Sequence, residues 1–380
     1  MKVMIVVTHL LGTGHLSRAL TLGRAFSQKQ HQVFVVSGGM PAPQLDTTGL
    51  TLFGLPPLRS DGTHFTRLLD QYSEVADLNY MDARTEALEK ALISFQPDVL
   101  ITELFPFGRR ALTAEFLNVL SAARALTKPP IILASIRDIL APPSKPSKAE
   151  RTDEIIGQFY DAVLVHSEPS ITQLSVSWPV SDLLARRLRY TGFVAPNSPE
   201  PHPDGLGTGE ILVSAGGGSV GQPIFHAAIE AARKMQGHRW RLLVGGQDAP
   251  ARIAHLTELA EGAPVTIESV RPDFRQMLPL AAASVSMCGY NTAMDLLQTG
   301  VPAVLIPFDD GNEVEQTLRA RSLAHQSGFA TVANSDLNAQ TLAKAVKTVL
   351  SNKRRAKMTH GVDGANKSVE ISEEIWKAKQ

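Results

Sequence analysis

His15 stands where an imidazole can do proton chemistry. It follows the apolar run Val3 to Val7 in the stretch Gly12-Thr13-Gly14-His15-Leu16-Ser17-Arg18, and Leu16, Ala19, Leu20, Leu22, Gly23 and Phe26 then recur at helical spacing. Gly12 and Gly14 at a strand end let the backbone turn and let a substrate approach closely. A histidine there can remove a proton from a sugar or lipid hydroxyl near neutral pH. The alternative is a purely structural loop histidine.

A second set of residues favours anions. Ala215-Gly216-Gly217-Gly218-Ser219 follows the strand-like Ile211 to Ser214 and precedes a helix near Pro223. Gly217 and Gly218 admit close backbone approach and Ser219 can donate to an oxygen, which suits a diphosphate. Further on, Cys288-Gly289 ends an apolar run, and a helix is expected from Asn291 to Gln298. Its free N–H groups and partial positive charge place an anion near Gly289, Asn291 and Thr292. Asp295, one turn further in, can accept two hydroxyl hydrogen bonds of the kind a ribose diol supplies, or can simply serve the first turn of its helix.

A third set lies at Glu103-Leu104-Phe105-Pro106-Phe107-Gly108-Arg109-Arg110, after the strand-like Pro97 to Thr102. Strand ends of a parallel sheet line the ligand crevice, so Glu103, Phe107 and Arg109 are candidates to receive an apolar, anionic or membrane-bound substrate. The other reading has the aromatics packed on the sheet and the arginines solvated. Arg137-Asp138 and His166 with Glu168 end later strands and are rim candidates. Cys288, the single cysteine, reads as a small buried residue rather than a nucleophile.

These residues need a scaffold of alternating strands and helices. His31 to Ser37, Thr51 to Leu55, Ile131 to Ser135, Trp240 to Gly246, Val265 to Glu268 and Val301 to Ile306 read as strands. From Phe65 to Phe95 the apolar spacing is helical. Such alternation predicts an α/β protein with doubly wound parallel sheets. At 380 residues and 43% hydrophobic content there is room for two domains with separate cores.

Lysine plus arginine and aspartate plus glutamate both number 37, so no global field attracts nucleic acid. One cysteine excludes an internal disulfide and fits a reducing compartment. The run after Lys2 is too short for a secretory leader and breaks at His9 and Gly12, and no run reaches membrane-spanning length. A cytoplasmic protein is expected by default.

The pattern S-x-C-G-x-N-T-x-x-D-x-L-x-x-G-x-P-x-x-x-x-P-F, from Ser286 to Phe308, resembles the donor-binding half of GT-B nucleotide-sugar glycosyltransferases, family 28 in particular. The resemblance implies two Rossmann-like domains facing a central crevice and closing over a linker. It implies a diphosphate beside Gly217, Gly218 and Ser219, a ribose at Asp295 where the family has glutamate, and a base gripped near Arg271. Glu315 and Gln316 look like the family's glutamine pair on the donor sugar. It makes His15 the general base of an inverting transfer that needs no metal, so the paired Asp309-Asp310 is not read as a metal site. No cofactor is expected beyond the nucleotide-diphosphate sugar, UDP-linked by the same resemblance, as co-substrate.

The form G-x-G-H-x-x-R is also similar to nucleotide-sugar hydrolases of pseudaminic acid synthesis. A hydrolase or epimerase on the same scaffold is therefore the alternative reaction, and a non-catalytic nucleotide-sugar sensor the second alternative. The expected divisions are an acceptor domain over 1–193, a linker over 194–209, a donor domain over 210–365, and a helix over 366–380 that crosses back to the first domain, as tails do in this fold. The acceptor hydroxyl, on a glycan, lipid or small molecule, is not specified by the sequence, and the phenylalanine and arginine loop leaves room for contact with the inner face of the membrane.

Overall fold

The computed structural model describes every residue except 11, 44, 62–66, 236, 247, 309–313 and 353. It divides into two units, Met1–Pro196 together with Asp363–Gln380, and Asn197–Val362. Among the described residues no helix is long and apolar enough to cross a membrane.

The first unit is built on β1 (Lys2–Val7), β2 (Gln32–Gly39), β3 (Thr51–Ser60), β4 (Leu68–Leu69), β5 (Val99–Glu103), β6 (Ile131–Arg137), β7 (Ala162–His166) and β8 (Leu188–Tyr190). They form one sheet in the order β4-β3-β2-β1-β5-β6-β7-β8, parallel throughout except for the edge pair β3 and β4. Connecting them are α1 (Gly14–Gln28), α2 (Leu78–Phe95), α3 (Thr113–Ala125), α4 (Pro146–Phe159) and α5 (Asp182–Arg187). The near-continuous apolar strands are explained by burial on both faces. In β1, Val3, Ile5 and Val7 pack with Leu16, Leu20 and Phe26 of α1, while Met4 and Val6 pack on the side of Leu88, Leu92, Phe116 and Leu120 from α2 and α3.

The helical spacing expected from Phe65 to Phe95 holds only from Leu78. Leu68 and Leu69 are buried as the edge strand β4, and Asp77 accepts from the N–H of Tyr80 to start α2. Between them Ser73 has a left-handed φ of 70°, which ends any helix before the cap. Phe65 lies outside the described residues.

The second unit is built on β9 (Ile211–Ser214), β10 (Trp240–Val244), β11 (Val265–Ser269), β12 (Ala283–Ser286), β13 (Ala303–Leu305) and β14 (Phe329–Thr331), in the order β11-β10-β9-β12-β13-β14. All of its pairings are parallel. Its helices are α6 (Gln222–Lys234), α7 (Ala249–Leu259), α8 (Phe274–Met277), α9 (Tyr290–Thr299), α10 (Glu315–Ala324) and α11 (Ala339–Ser351). Gly300 stops α9 in the left-handed conformation, φ 66°, and a Cβ there would sit 2.6 Å from the Arg355 carbonyl oxygen, so only glycine fits.

The stretch read as a linker is packed rather than free over much of its length. Within the second unit, the N–H of His202 donates to the Gln276 carbonyl at 2.9 Å and that of Gly209 to Leu280 at 3.1 Å. The chain returns to the first unit at Asp363, which bridges to Val194, and α12 (Gly364–Lys377) packs on α1. His31 Nε2 lies 2.9 Å from a Glu373 carboxylate oxygen and fixes that contact.

In each sheet the strand order reverses once, between β1 and β5 in the first and between β9 and β12 in the second. Adjacent connections leave to opposite faces at such a point, and the gap they open at the carboxyl ends is where doubly wound sheets bind ligands.

Candidate functional site

The reversal point of the first sheet holds a buried polar chain. His15 sits in the first turn of α1, just beyond β1, and Glu103 ends the neighbouring β5. His15 Nδ1 is 2.8 Å from Glu103 Oε1, and the carboxylate is 1% exposed. Arg18, one turn along α1, also donates to Oε1 and lies 3.0 Å from His15 Nδ1. On the other side Ser135 Oγ donates to Glu103 Oε2 at 2.5 Å, His166 Nε2 is 2.9 Å from Ser135 Oγ, and Thr191 Oγ1 is 2.9 Å from His166 Nδ1. The chain follows the order of strands β1, β5, β6, β7 and β8.

Glu103 accepts from Ser135, Arg18 and His15, and His166 Nε2–H donates to Ser135; the Arg18–His15 Nδ1 approach is then one between two donors, and Thr191 divides its hydroxyl proton between His166 and the Gly192 carbonyl. His15 then carries its proton on Nδ1, leaving an Nε2 lone pair that takes no hydrogen bond from the described residues. Burial disfavours the Glu103 carboxylate, but Arg18 and His15 outweigh it and hold the group well below the usual carboxylate range. Burial also lowers the pKa of His15; Glu103 opposes this, and Arg18 and Arg109 reinforce it. His15 is therefore a neutral imidazole at neutral pH, oriented through Nδ1.

The same chain makes stability pH-dependent. Burial first and Arg18 second push the pKa of His166 down to about 3 from 6.5, against Glu103. The unfolded chain binds a proton below pH 6.5 that the folded protein refuses, so stability present above that pH is lost as the pH falls toward 3. The limiting slope is about 1.4 kcal/mol per pH unit for one such histidine. Urea midpoints between pH 7 and pH 5 are expected to fall less steeply in His166→Gln than in the wild type; parallel curves would contradict this.

The acceptor-side loop is corrected in one respect. Phe107 is 3% exposed and packs edge-on against Trp178 at 5.2 Å, so it is core and meets no substrate; Phe105 likewise stacks on Phe116 at 4.5 Å. Large aromatics beside a sheet gain more by burial than a loop position suggests. Arg109 is half-buried beside Glu103, and Gly12 and Gly14 have open space where a side chain would be.

The reversal point of the second sheet brings together two glycine-rich turns. Gly216, φ 79°, follows β9, and Gly289 caps α9 after β12 with no side chain closing the helix end. Asn291 is exposed and Thr292 half-buried in that first turn. Gly217 has nothing within 4 Å of a Cβ position and Gly218 only Val220 at 3.9 Å. The protein itself does not need glycine there, whereas Gly245 opposite would put a Cβ 2.4 Å from the Gly216 carbonyl. A cavity of about 280 Å³ opens beside this loop, lined by residues 219–224, Arg252, Met287 and 306–308 together with Asn334.

Several expected donors in this unit already have partners. Ser219 Oγ donates to Asp248 at 2.5 Å. Arg271 is bidentate on Asp273, at 2.8 and 2.7 Å, which leaves backbone rather than its guanidinium for a nucleotide base. Asp295 accepts from Arg275 at 2.6 Å through Oδ1, and burial raises its pKa against that arginine. One oxygen, Oδ2, remains for a hydroxyl. Glu315 pairs with Arg319 at 2.7 Å, and Gln316 Oε1 accepts from the N–H groups of Cys288 at 2.9 Å and Phe308 at 3.2 Å. Only the Gln316 amide nitrogen is left to face outward. Cys288 is fully buried. Asp309-Asp310 lies outside the described residues.

Arg18, Ser135 and Thr191 were not singled out as site residues by sequence reasoning. Arg18 carried a signal, its three-residue spacing from His15 on one helix face. Ser135 and Thr191 had none, because their neighbours come from other strands.

Residues 212–375 match the glycosyltransferase family 28 C-terminal domain. A Brucella suis relative, a UDP-N-acetylglucosamine–N-acetylmuramyl-(pentapeptide) pyrophosphoryl-undecaprenol N-acetylglucosamine transferase, is 27% identical over 174 residues, covering 43% of this chain and 46% of that protein. The match thus spans about half the length of that relative. The fold is similar to CalG4, the calicheamicin glycosyltransferase, with TM-score 0.65 and 16% identity over 99% of this chain and 97% of that one. It is similar also to Acinetobacter baumannii MurG, with TM-score 0.64 and 16% identity over 99% of this chain and 100% of that one. Residues 212–375 are thus similar to the glycosyltransferase family 28 C-terminal domain, and the chain as a whole has the GT-B fold.

Proposed function

We propose that this chain is an inverting glycosyltransferase that moves a sugar from a nucleotide diphosphate, UDP-linked, to a hydroxyl acceptor without needing a metal. The observation that carries the reading is the His15–Glu103 pair at the reversal point of the first sheet, with Nε2 unengaged. The UDP donor is supported by the name of the Brucella suis relative, which matches over the second unit.

In this reading Nε2 of His15 takes the proton of the acceptor hydroxyl as its oxygen attacks the anomeric carbon. The bond from that carbon to the diphosphate oxygen breaks and its electron pair leaves with the diphosphate. The proton stays on His15, whose imidazolium is stabilised by Glu103. Backbone N–H groups of 217–219 and the start of α9 meet the charge that grows on the leaving group, the electrostatic term that usually dominates such a step. A single displacement inverts the anomeric centre.

The donor half is tested by titrating UDP into wild type and Gly217→Ala. Nothing lies within 4 Å of the new Cβ, so the unfolding midpoint stays unchanged. Displacing a phosphate from a charge-assisted N–H contact is expected to weaken UDP roughly ten-fold or more. Equal affinity in the variant, or no binding by wild type, would refute the assignment.

A further inference from the structure

His166 is a buried titratable group that the transfer step does not use, and it stands two hydrogen bonds away from Glu103. It ends β7, Ser135 lies on β6, and Glu103, at the end of β5, is the register partner of Ser135. The register partner of His166 is Arg137, two residues beyond Ser135 and on the same face, so the imidazole reaches diagonally back to the serine hydroxyl. Ser135 and His166 are fully buried, and Glu103 and Thr191 nearly so. A buried polar layer running across neighbouring strands is costly to desolvate, and apolar side chains of similar volume would fill the space at least as well. What the layer accomplishes at the crevice is the placement of one carboxylate.

The Ser135 hydroxyl has one proton and two neighbours that could take it, Glu103 Oε2 at 2.5 Å and His166 Nε2 at 2.9 Å. Glu103 is held as a carboxylate and can only accept. The proton therefore goes to Glu103 when His166 presents Nε2–H to a serine lone pair. In the other tautomer a bare Nε2 competes for that proton, and Glu103 Oε2 is left facing a hydroxyl with nothing to donate. Thr191 Oγ1, 2.9 Å from His166 Nδ1, supports the first tautomer with the part of its proton that the Gly192 carbonyl does not take. Burial keeps the ring neutral, so it has a single proton to place. We infer that His166 is a positioning residue for the transfer: acting through Ser135, it fixes the plane of the Glu103 carboxylate and thereby the aim of His15 Nε2 at the acceptor hydroxyl. This rests on the transferase reading of His15.

The test uses the full chain, a UDP-sugar that wild type turns over, and an extract of cell lipids and small glycans as acceptor source. Ser135→Ala and His166→Phe are expected to lower kcat roughly ten- to a hundred-fold, the scale of a small misplacement of a reacting group. The KM for the UDP-sugar should stay within about two-fold of wild type, because the donor loops belong to the second unit. His166→Gln, whose amide N–H can still donate to Ser135, should recover most of the rate. A second readout is the downfield proton resonance of His15 Nδ1–H, identified by its absence from His15→Ala, which a merely structural role would not move. It should shift in Ser135→Ala and His166→Phe and return in His166→Gln. Urea midpoints show which variants are folded, and Ser135→Ala, which removes one oxygen, keeps the comparison open where His166→Phe unfolds. Folded Ser135→Ala with the kcat and the His15 resonance of wild type overturns the proposal, as does His166→Gln as slow as His166→Phe, or a loss confined to KM. Wild type that releases no UDP defeats the transferase reading itself, before any variant is compared.

Discussion

His15→Ala is expected to lower the turnover of nucleotide sugar by about 10²–10⁴-fold, the usual contribution of a positioned general base. UDP affinity should stay within about two-fold of wild type, because His15 belongs to the first unit and the anion-seeking loops to the second. Glu103→Gln should fall by a similar order. The amide oxygen can still accept from His15 Nδ1, but the amide carries no negative charge to stabilise the imidazolium that forms there. Because Glu103 also answers buried Arg18, stability is followed alongside, and the His15→Ala result carries the argument. A loss in His15→Ala smaller than about five-fold would remove His15 from the chemistry, since a general base is worth far more.

The largest stability effect is expected at Arg84, outside the site. Its guanidinium is fully buried, bidentate on Glu115 at 2.9 and 3.0 Å, and donates to the carbonyls of Gly38, at 3.0 Å, and Pro56. It thus ties α2 to α3 and to the strands β2 and β3. Gly38 is small for a reason, since a Cβ there would stand 2.6 Å from Arg84 Nη2. Arg84→Ala leaves Glu115 buried and unanswered, which costs about 3–5 kcal/mol. Replacing both partners with apolar residues should restore only part of this, because the two carbonyls remain without a donor. Urea unfolding measures it; a loss below about 1 kcal/mol would mean that water or a neighbour replaces the arginine.

The elements that could be read from the sequence were those whose cause is local. Val3 to Val7 followed by Gly12 and Gly14 announces a buried strand and a turn, and Gly289 with Gly300 brackets α9 as drawn from composition. The helix start at Leu78 was missed although Asp77, a good N-cap, was visible. Leu68, Leu69, Tyr72 and Val75 continue the helical spacing by coincidence, and a two-residue edge strand leaves no period to detect.

The candidate site was legible in its ends and not in its middle. His15 and the glycines at 216–218 stand beside turns that advertise them. The links from Glu103 to Ser135, His166 and Thr191 depend on β5, β6, β7 and β8 lying side by side, a long-range order that no local pattern encodes. Partnering was hidden for the same reason: Ser219 already donates to Asp248, and Gln316 to its backbone anchors gives only an oxygen. Phe107 misled because an aromatic in a loop looks like a ligand contact until Trp178 is found against it.

The central claim is tested most directly by UDP release from a panel of UDP-sugars, with purified wild type and His15→Ala, in the presence and absence of an extract of cell lipids and small glycans. The account predicts release that requires the extract, collapses in the variant, and is accompanied by a sugar newly attached to an extract component. Rapid release with no extract, or release that His15→Ala leaves unaltered, would contradict it.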